Sequence, residues 1–268
     1  MADDGRDDAP DDAARIVGAA RSGGLVVLCD HASNRLPAAY GTLGLGPDDL
    51  ARHIAWDPGA LAVAERLAAA IDGPLVHATW SRLLADCNRD AADEDLIVTV
   101  SEDTPIPGNA QLSAAERQGR IARFHAPYHR AVTALCDDRA AAGRLAGLVA
   151  LHSFTPVYRG VPRPWHVGVI HDDDMRLAGP VLAALTAEAG LVVGDNRPYA
   201  PSDRVYRTLE RHAAARGLPA VMIEIRNDLV AEETGVAAWA DRLARALRPA
   251  AAGPSSSGAV PAAGAVPC

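Results

Sequence analysis

The sequence contains no lysine, so all 26 of its basic side chains are arginines, against 34 aspartates and glutamates. The resulting net charge of −8 argues against a broad nucleic-acid-binding surface, which requires a basic patch to neutralise phosphates. We ascribe the missing lysine, together with the abundant alanine, to genomic composition rather than to chemistry. We therefore expect no nucleic-acid partner.

Cysteine is scarce, and long apolar runs are missing. The four cysteines, at positions 29, 87, 136 and 268, include no C-x-x-C pair, which excludes a disulfide framework or a cysteine zinc knuckle. No apolar run is long enough to span a bilayer. The first residues are acidic, unlike the apolar stretch of a signal peptide. We expect a cytoplasmic protein without a membrane partner.

The sequence predicts one folded domain between two disordered ends. The chain has 268 residues and is 49% hydrophobic, enough for one substantial core. The acidic residues 1–12 and the Ala/Gly/Pro/Ser-rich residues 249–268 are predicted to be disordered. The domain is therefore expected to cover residues 13–248.

Strand and helix signals alternate within this domain. Strands are predicted at 25–30, 75–80, 82–86, 148–152, 165–170, 191–193 and 220–225. Helices are predicted from about 47 to 71 with a break at Pro58-Gly59, from Ser113 onwards, and near 175–189, 203–216 and 234–247. The alternation indicates an α/β fold, a single domain with a mainly parallel, mixed central sheet and helices on both faces.

Two apolar runs each end in a histidine. The run 25–29 leads into Asp30 and His31, and the run 148–151 leads into His152. In open α/β sheets, ligands bind at the carboxyl ends of strands. The two histidines therefore suggest one metal site assembled from distant parts of the chain, the alternative being that each is a hydrogen-bonded structural residue.

Two carboxylates are candidates to complete such a site. Asp57 precedes Pro58-Gly59, which interrupt the helix and could free its side chain, and Glu224 lies in an apolar strand, where an unpaired carboxylate is costly. Zinc that activates water needs about three protein ligands and one open position, with a nearby carboxylate as general base. Alternatively, Asp57 caps a helix segment and Glu224 pairs with an arginine such as Arg226.

A polar pair follows another predicted strand. Asn88 and Arg89 stand at the end of the run that begins at 82. Arginine binds carboxylates through two hydrogen bonds and asparagine adds a directed one, so the pair suits an anionic substrate. The alternative is a surface ion pair with Asp86 or Asp90.

Two further clusters resemble metal motifs only superficially. His125 and His129 have the i, i+4 spacing of metalloproteases, but the glutamate of that motif is missing and a proline intervenes. The acidic run 172–174 is more typical of a solvated turn and helix cap. We interpret neither as a metal site.

Seven segments together resemble the N-formylglutamate amidohydrolase family, and they occur in family order over about residues 25 to 245. The segments are CDHASN (29–34), HIAWDPGA (53–60), SRLLADCNR (81–89), PYH (127–129), LHSFTP (151–156), RPWHVG (163–168) and IEIRNDL (223–229). The family is similar in fold to zinc carboxypeptidases, a phosphorylase/hydrolase-like fold, and to aspartoacylases and zinc-dependent cell-wall amidases.

The resemblance implies a role for each candidate residue. His31 and His152 become ligands of one zinc ion, and Glu224 becomes the general base. Asn34 occupies the position of the acidic ligand of carboxypeptidases, which makes Asp57 the expected third ligand. By the same resemblance, Asn88 and Arg89 hold one substrate carboxylate, and Arg226 or Arg163 supplies a second cation.

The resemblance also implies an activity, the hydrolysis of the formamide of N-formyl-L-glutamate to formate and L-glutamate, with a place in histidine breakdown. The expected partner is a small anionic N-acyl amino acid. The alternatives are a zinc hydrolase of another N-acyl amino acid or peptide-like amide, and a non-catalytic α/β module that binds an acidic metabolite. The sequence leaves the oligomeric state open.

Overall fold

The protein is described by a computed structural model that covers residues 13–251, so the predicted disorder of 1–12 and of the tail beyond 251 lies outside the described residues. The strands are β1 Ala14–Val17, β2 Leu25–Cys29, β3 Leu75–Ala78, β4 Val100–Ser101, β5 Thr104–Pro105, β6 Gly147–Phe154, β7 Val157–Tyr158, β8 Val161–Pro162, β9 Val167–Ile170, β10 Val193–Asp195 and β11 Ala220–Arg226. The α-helices are α1 Pro47–Ala51, α2 Ala60–Ala70, α3 Ala114–Arg120, α4 Ala126–Ala141, α5 Met175–Thr186, α6 Arg207–His212 and α7 Glu233–Ala251.

Seven strands form one mixed sheet in the order β1-β3-β2-β6-β11-β9-β10. The central strands β3, β2, β6 and β11 are parallel, and β9 and β10 are parallel to each other but β9 is antiparallel to β11. The central strands are almost entirely buried, as their continuous apolar sequences require. The predicted fold class is confirmed.

Helices cover both faces of this sheet. Helices α2, α5 and α7 pack on one face through residues such as Leu67, Leu177 and Leu243, and α4 and α6 pack on the other through residues such as Val132 and Leu209. The helical stretch predicted from Ser113 begins with the expected capping box to Glu116 and continues through a π-helical segment, Ile121–His125, into α4. No helix among residues 13–251 is both long and apolar enough to cross a membrane.

Several elements differ from those predicted. Residues 82–86 form turns rather than a strand, because Leu83 and Leu84 are buried in a separate core cluster and not in the sheet. Strand β1 was not predicted, and α6 is shorter than the predicted helix at 203–216. Helix α7 runs three residues into the predicted tail, because Ala251 is buried and its carbonyl accepts a hydrogen bond from the Gly24 amide.

Candidate functional site

Three side chains with metal-ligating atoms converge at the carboxyl ends of β2 and β6. His31 follows β2, His152 lies within β6, and Asp57 lies between α1 and α2. All three are buried, and one ligand atom from each lies within 4.8 Å of the others. The structure therefore brings together the three predicted metal ligands.

The break in the helix places Asp57 at this point. Helix α1 ends at Ala51 and α2 begins at Ala60, so the predicted interruption at Pro58-Gly59 is confirmed. Gly59 has φ of +79°, and a Cβ atom there would lie 2.6 Å from Val230, so only glycine fits. The Asp57 amide donates to the His31 carbonyl at 2.9 Å, and its Oδ2 lies 3.3 Å from His31 Nδ1 and 2.8 Å from His152 Nδ1.

His31 is held from behind by a carboxylate and an arginine. Its Nε2 lies 2.7 Å from Asp86 Oδ1. The other oxygen of Asp86 accepts from Arg82 Nε at 3.0 Å and from Arg82 Nη2 at 2.6 Å. We call His31, Asp86 and Arg82 the arginine-backed half of the site.

His152 is held in the same way, but by a carboxylate and a tyrosine. Its Nε2 lies 3.2 Å from Asp30 Oδ2, and Asp30 Oδ1 accepts from the Tyr128 hydroxyl at 2.5 Å. Asp30 and Tyr128 are almost fully buried. We call His152, Asp30 and Tyr128 the tyrosine-backed half of the site.

This arrangement fits a zinc ion. In each half the carboxylate accepts a hydrogen bond from the histidine Nε2–H group, which leaves Nδ1, the atom that faces Asp57, available to a metal. Metal-bound histidines commonly have such a carboxylate behind them, because it sets the tautomer and raises the basicity of the ring. Two nitrogens and one carboxylate oxygen are the ligand set of catalytic zinc sites.

The charges of the site favour a cation between the three side chains. Burial opposes ionisation of Asp57, but His31 and His152 outweigh it and lower the pKa of the Asp57 carboxyl group. Burial likewise opposes a positive charge on His152, yet Asp30 and Asp57 raise its pKa well above the usual value. Positive charge is thus stabilised where the three ligand atoms meet, which is the charge that a metal ion would supply.

Glu224 lies beside the three ligands. It is paired in register with His152 across β11 and β6 and is buried. Desolvation, reinforced by the negative charge of Asp57, raises the pKa of Glu224 to about 7. Its Oε2 is buried and has no hydrogen-bond partner among the described residues. The alternative interpretation, a pair with Arg226, is not realised, because Arg226 binds Asp228. A carboxylate such as that of Glu224 can take up and release a proton near neutral pH.

A polar cavity of about 210 Å³ lies against this group. Besides the three ligands and Glu224, its walls include His53, Arg82, Asn88, Arg89, Tyr158 and Tyr199. The predicted pair Asn88 and Arg89 thus reaches the cavity. Arg89 Nε donates to Asp95 at 3.1 Å, and its Nη1 donates to two carbonyl groups. The Asn88 side chain donates to the Val205 carbonyl and accepts from the Thr208 amide.

The two other predicted arginines are not cavity-lining residues. Arg226 binds Asp228 through Nε at 2.8 Å. Arg163 Nη1 donates to the Tyr199 hydroxyl at 3.0 Å, and its guanidinium carbon lies 4.6 Å from the centre of the Tyr158 ring. Arg163 therefore contacts two tyrosines of the cavity wall but does not line the cavity itself.

Several residues of the site were not predicted. Arg82, Asp86, Asp30 and Tyr128 lie within the segments that carry the family resemblance, but they received no role, and Tyr199 was not considered. The i, i+4 spacing of Arg82 and Asp86 was the only local signal. The other contacts join residues about a hundred positions apart in the sequence.

The two clusters that were not interpreted as metal sites do not line the cavity. Asp174 accepts a hydrogen bond from the Arg176 amide at the start of α5, which confirms a helix cap. His125 and His129 lie in the helical layer, where His129 also contacts His212.

The chain is similar to known proteins in both sequence and fold. A model of the N-formylglutamate amidohydrolase family matches residues 23–231. A solved gene product of Agrobacterium tumefaciens is 45% identical over 89% of this chain and 94% of its own, with a TM-score of 0.86. The N-formylglutamate amidohydrolase of Ralstonia eutropha JMP134 shares the fold at 23% identity and a TM-score of 0.70, over 89% of this chain and 96% of its own. No curated protein matches the sequence.

Proposed function

Since this chain belongs to the N-formylglutamate amidohydrolase family and is a hydrolase, we propose that it cleaves the formamide of N-formyl-L-glutamate to formate and L-glutamate. The observation that carries the proposal is the buried group of His31, Asp57 and His152 with Glu224 beside it, at one end of a cavity that also contains arginines.

We assign one zinc ion to His31, Asp57 and His152. Bound there, zinc supplies Lewis acidity, which makes a water molecule more acidic and polarises an amide carbonyl. Asp86 and Asp30 fix the two imidazoles in the orientation that presents Nδ1. Histidine and carboxylate ligands favour zinc over calcium or magnesium.

Glu224 is the proposed proton carrier. Its carboxylate takes a proton from the attacking water and passes it to the amine nitrogen as the carbon–nitrogen bond breaks, so that water and the formamide become formate and a free amine. A pKa of about 7 suits both steps, because the group has comparable affinity for the proton in each direction near neutral pH.

The cavity walls provide the groups that bind an anionic N-acyl amino acid. Arg89, together with Asn88, is assigned to one substrate carboxylate, and Arg82 provides a second positive charge. Tyr199 accepts a hydrogen bond from Arg163, which leaves its own hydroxyl proton for a substrate oxygen. A role in histidine breakdown remains a prediction from the family resemblance, and a cytoplasmic location remains a prediction from the apolar pattern of the sequence.

A substrate panel tests the proposal. Formate and free amine are measured with N-formyl-L-glutamate, other N-formyl amino acids, N-acetyl-L-aspartate and a peptide amide, and the zinc content of the purified protein is measured in parallel. We expect formate from N-formyl-L-glutamate, one zinc per chain, and loss of activity with a chelator. Preference for the acetylated or peptide substrate would identify a different amidohydrolase, and activity without metal would contradict the mechanism.

The variant Glu224→Gln tests the proton carrier. We expect kcat to fall by roughly 100-fold or more, the usual contribution of a positioned acid–base group, while zinc content stays at the wild-type level. Glu65→Gln, an exposed position on α2, is the matched control and should be as active as wild type. Full activity of the Glu224 variant would refute the role.

A further inference from the structure

Three buried histidines form a continuous chain that ends at the cavity wall. His125 Nε2 lies 3.0 Å from the backbone oxygen of Arg89 and 3.2 Å from His129 Nε2. The other nitrogen of His129 lies 2.9 Å from His212 Nε2. The histidines are between 1% and 2% exposed, and none of them is needed for the metal site or for proton transfer.

The contacts assign a proton to each ring. The Arg89 carbonyl can only accept, so His125 carries its proton on Nε2. His129 Nε2 faces that same N–H group and must accept from it, so the single His125 hydrogen is shared between the Arg89 carbonyl and His129 in a bifurcated hydrogen bond. The His129 proton is therefore on Nδ1, which donates to His212 Nε2. His212 therefore carries its proton on Nδ1, an atom that is buried and has no hydrogen-bond partner among the described residues. All three rings are neutral in this arrangement, because an additional proton on His129 would place two N–H groups face to face.

The surroundings favour the neutral rings. Burial is the largest cause of the lowered pKa of each of the three histidines. The pKa of His212 falls to about 4. The charged groups nearby act in both directions: Arg211 and Arg216 oppose a further positive charge, and Asp30, Asp86, Asp90 and Asp137 favour one. The rings are not a metal site, because His129 presents a different nitrogen to each neighbour.

The chain joins two segments that line the cavity. Its first contact is the carbonyl of Arg89, and its last ring, His212, ends α6. The start of α6 is joined to the same segment by Asn88, whose side chain binds Val205 and Thr208. Residues 88 and 89 are therefore held against α6 at both ends of this short helix.

From this geometry we propose that His125, His129 and His212 are positioning residues, a neutral imidazole chain that fixes Arg89 in the orientation that binds a substrate carboxylate. The inference rests on the proposed function in one respect, the assignment of Arg89 to the substrate. The placement of the three histidines follows from their hydrogen-bond contacts alone.

Kinetics of two His125 variants test the positioning. His125→Leu removes the donor to Arg89, whereas His125→Gln keeps an N–H group at a similar distance from the backbone. For N-formyl-L-glutamate, we expect the leucine variant to raise KM roughly tenfold with kcat within about twofold, and the glutamine variant to stay within about threefold of wild type. His77→Leu is the control, since His77 is buried in β3 and is not a cavity-lining residue.

Nitrogen-15 NMR of the histidine rings in the wild-type protein provides a readout that needs neither activity nor a variant. We expect neutral rings protonated at Nε2 in His125 and at Nδ1 in His129 and His212 at neutral pH. A doubly protonated His129, another tautomer, or an unchanged KM in a folded and active leucine variant would overturn the proposal. If the wild type releases no formate, the proposed substrate is wrong, and the KM comparison is made with the substrate that the panel identifies.

Discussion

The two histidines of the candidate zinc site face the same oxygen of Asp57 but are held from behind by different groups. In the arginine-backed half, Asp86 accepts two hydrogen bonds from the Arg82 guanidinium. In the tyrosine-backed half, Asp30 accepts one from the Tyr128 hydroxyl. The first carboxylate is neutralised by a full positive charge, and the second keeps its negative charge within the protein core.

This difference separates two tasks within one metal site. The Arg82 side chain is 24% exposed and forms part of the cavity wall, so the arginine-backed half connects the proposed metal to the cavity. Tyr128 is fully buried, so the tyrosine-backed half connects the proposed metal to the core. We expect His152 to be the more electron-donating ligand, because no cation draws charge away from Asp30.

Removing Asp57, which the two halves share, should have the largest effect. In Asp57→Ala both imidazoles lose their common partner and zinc loses a ligand. Loss of a residue that hydrogen-bonds a metal ligand lowers metal affinity by roughly 10–100-fold. We expect Asp57→Ala to lower zinc affinity by more than this, and formate release to fall to background. Zinc titration and the formate assay measure this, with the exposed Asp48→Ala as control. Stoichiometric zinc at wild-type affinity would exclude Asp57 as a ligand.

The two outer carboxylates, Asp86 and Asp30, each contact one of the histidines through Nε2. Replacing them one at a time compares the two halves directly. Asp86→Asn and Asp30→Asn should each weaken zinc binding by roughly 10–100-fold. Asp86→Asn also leaves Arg82 with only its longer ion pair, from Nη1 to Asp57 Oδ1 at 3.5 Å. We expect that to lower the free energy of unfolding by about 2–3 kcal/mol, below the value for a fully buried pair because Arg82 is partly exposed. Asp30→Asn leaves no cation without a partner and should lower the free energy of unfolding by about 1–2 kcal/mol.

Zinc titration and chemical denaturation of the metal-free proteins measure the two quantities separately. Equal losses of stability in the two variants would show that the charge on Arg82 does not distinguish the halves. A loss of zinc affinity in only one variant would show that only one histidine depends on its outer carboxylate.

The sequence was sufficient to predict the sheet and the candidate ligands, because these depend on local patterns. Apolar runs that end in His31 and His152 mark the buried strands, and Glu224 stands out as a carboxylate within an apolar strand. Pro58-Gly59 marks the break in the helix that lets Asp57 point into the site. Each of these signals lies within a few residues of the position that it concerns.

The groups behind the ligands could not be predicted, because their contacts depend on how helices pack on the sheet. Tyr128 and Asp30 are 98 residues apart, and nothing local to either one indicates the other. Arg163 was one of two arginines expected to supply a second cation, and the structure shows its Nη1 donating to the Tyr199 hydroxyl, a residue 36 positions away. The turn at 82–86 resembles a strand in sequence, because a buried turn is as apolar as a buried strand.

Replacing Arg82 tests whether the arginine-backed half faces the substrate. We expect Arg82→Met to raise KM for N-formyl-L-glutamate by roughly tenfold, the effect of losing one charge-assisted contact, without weakening zinc binding, because Asp86 keeps its full negative charge behind His31. Arg242→Met is the matched control, since Arg242 is also 24% exposed and ion-paired, with Glu188. A KM equal to that of the control would remove Arg82 from the substrate site.

Replacing Tyr128 should have the smallest effect on turnover. Tyr128→Phe removes one hydrogen bond to a buried carboxylate, which is expected to lower the free energy of unfolding by about 1.5–3 kcal/mol. KM should not change, because neither Tyr128 nor Asp30 is a cavity-lining residue. Tyr206→Phe is a close control: Tyr206 is equally buried, but its hydroxyl has no hydrogen-bond partner among residues 13–251, so its loss should cost little. Equal stability of the two variants would mean that the Tyr128 hydroxyl does not support Asp30, and a raised KM in Tyr128→Phe would mean that the two halves are not separate in function.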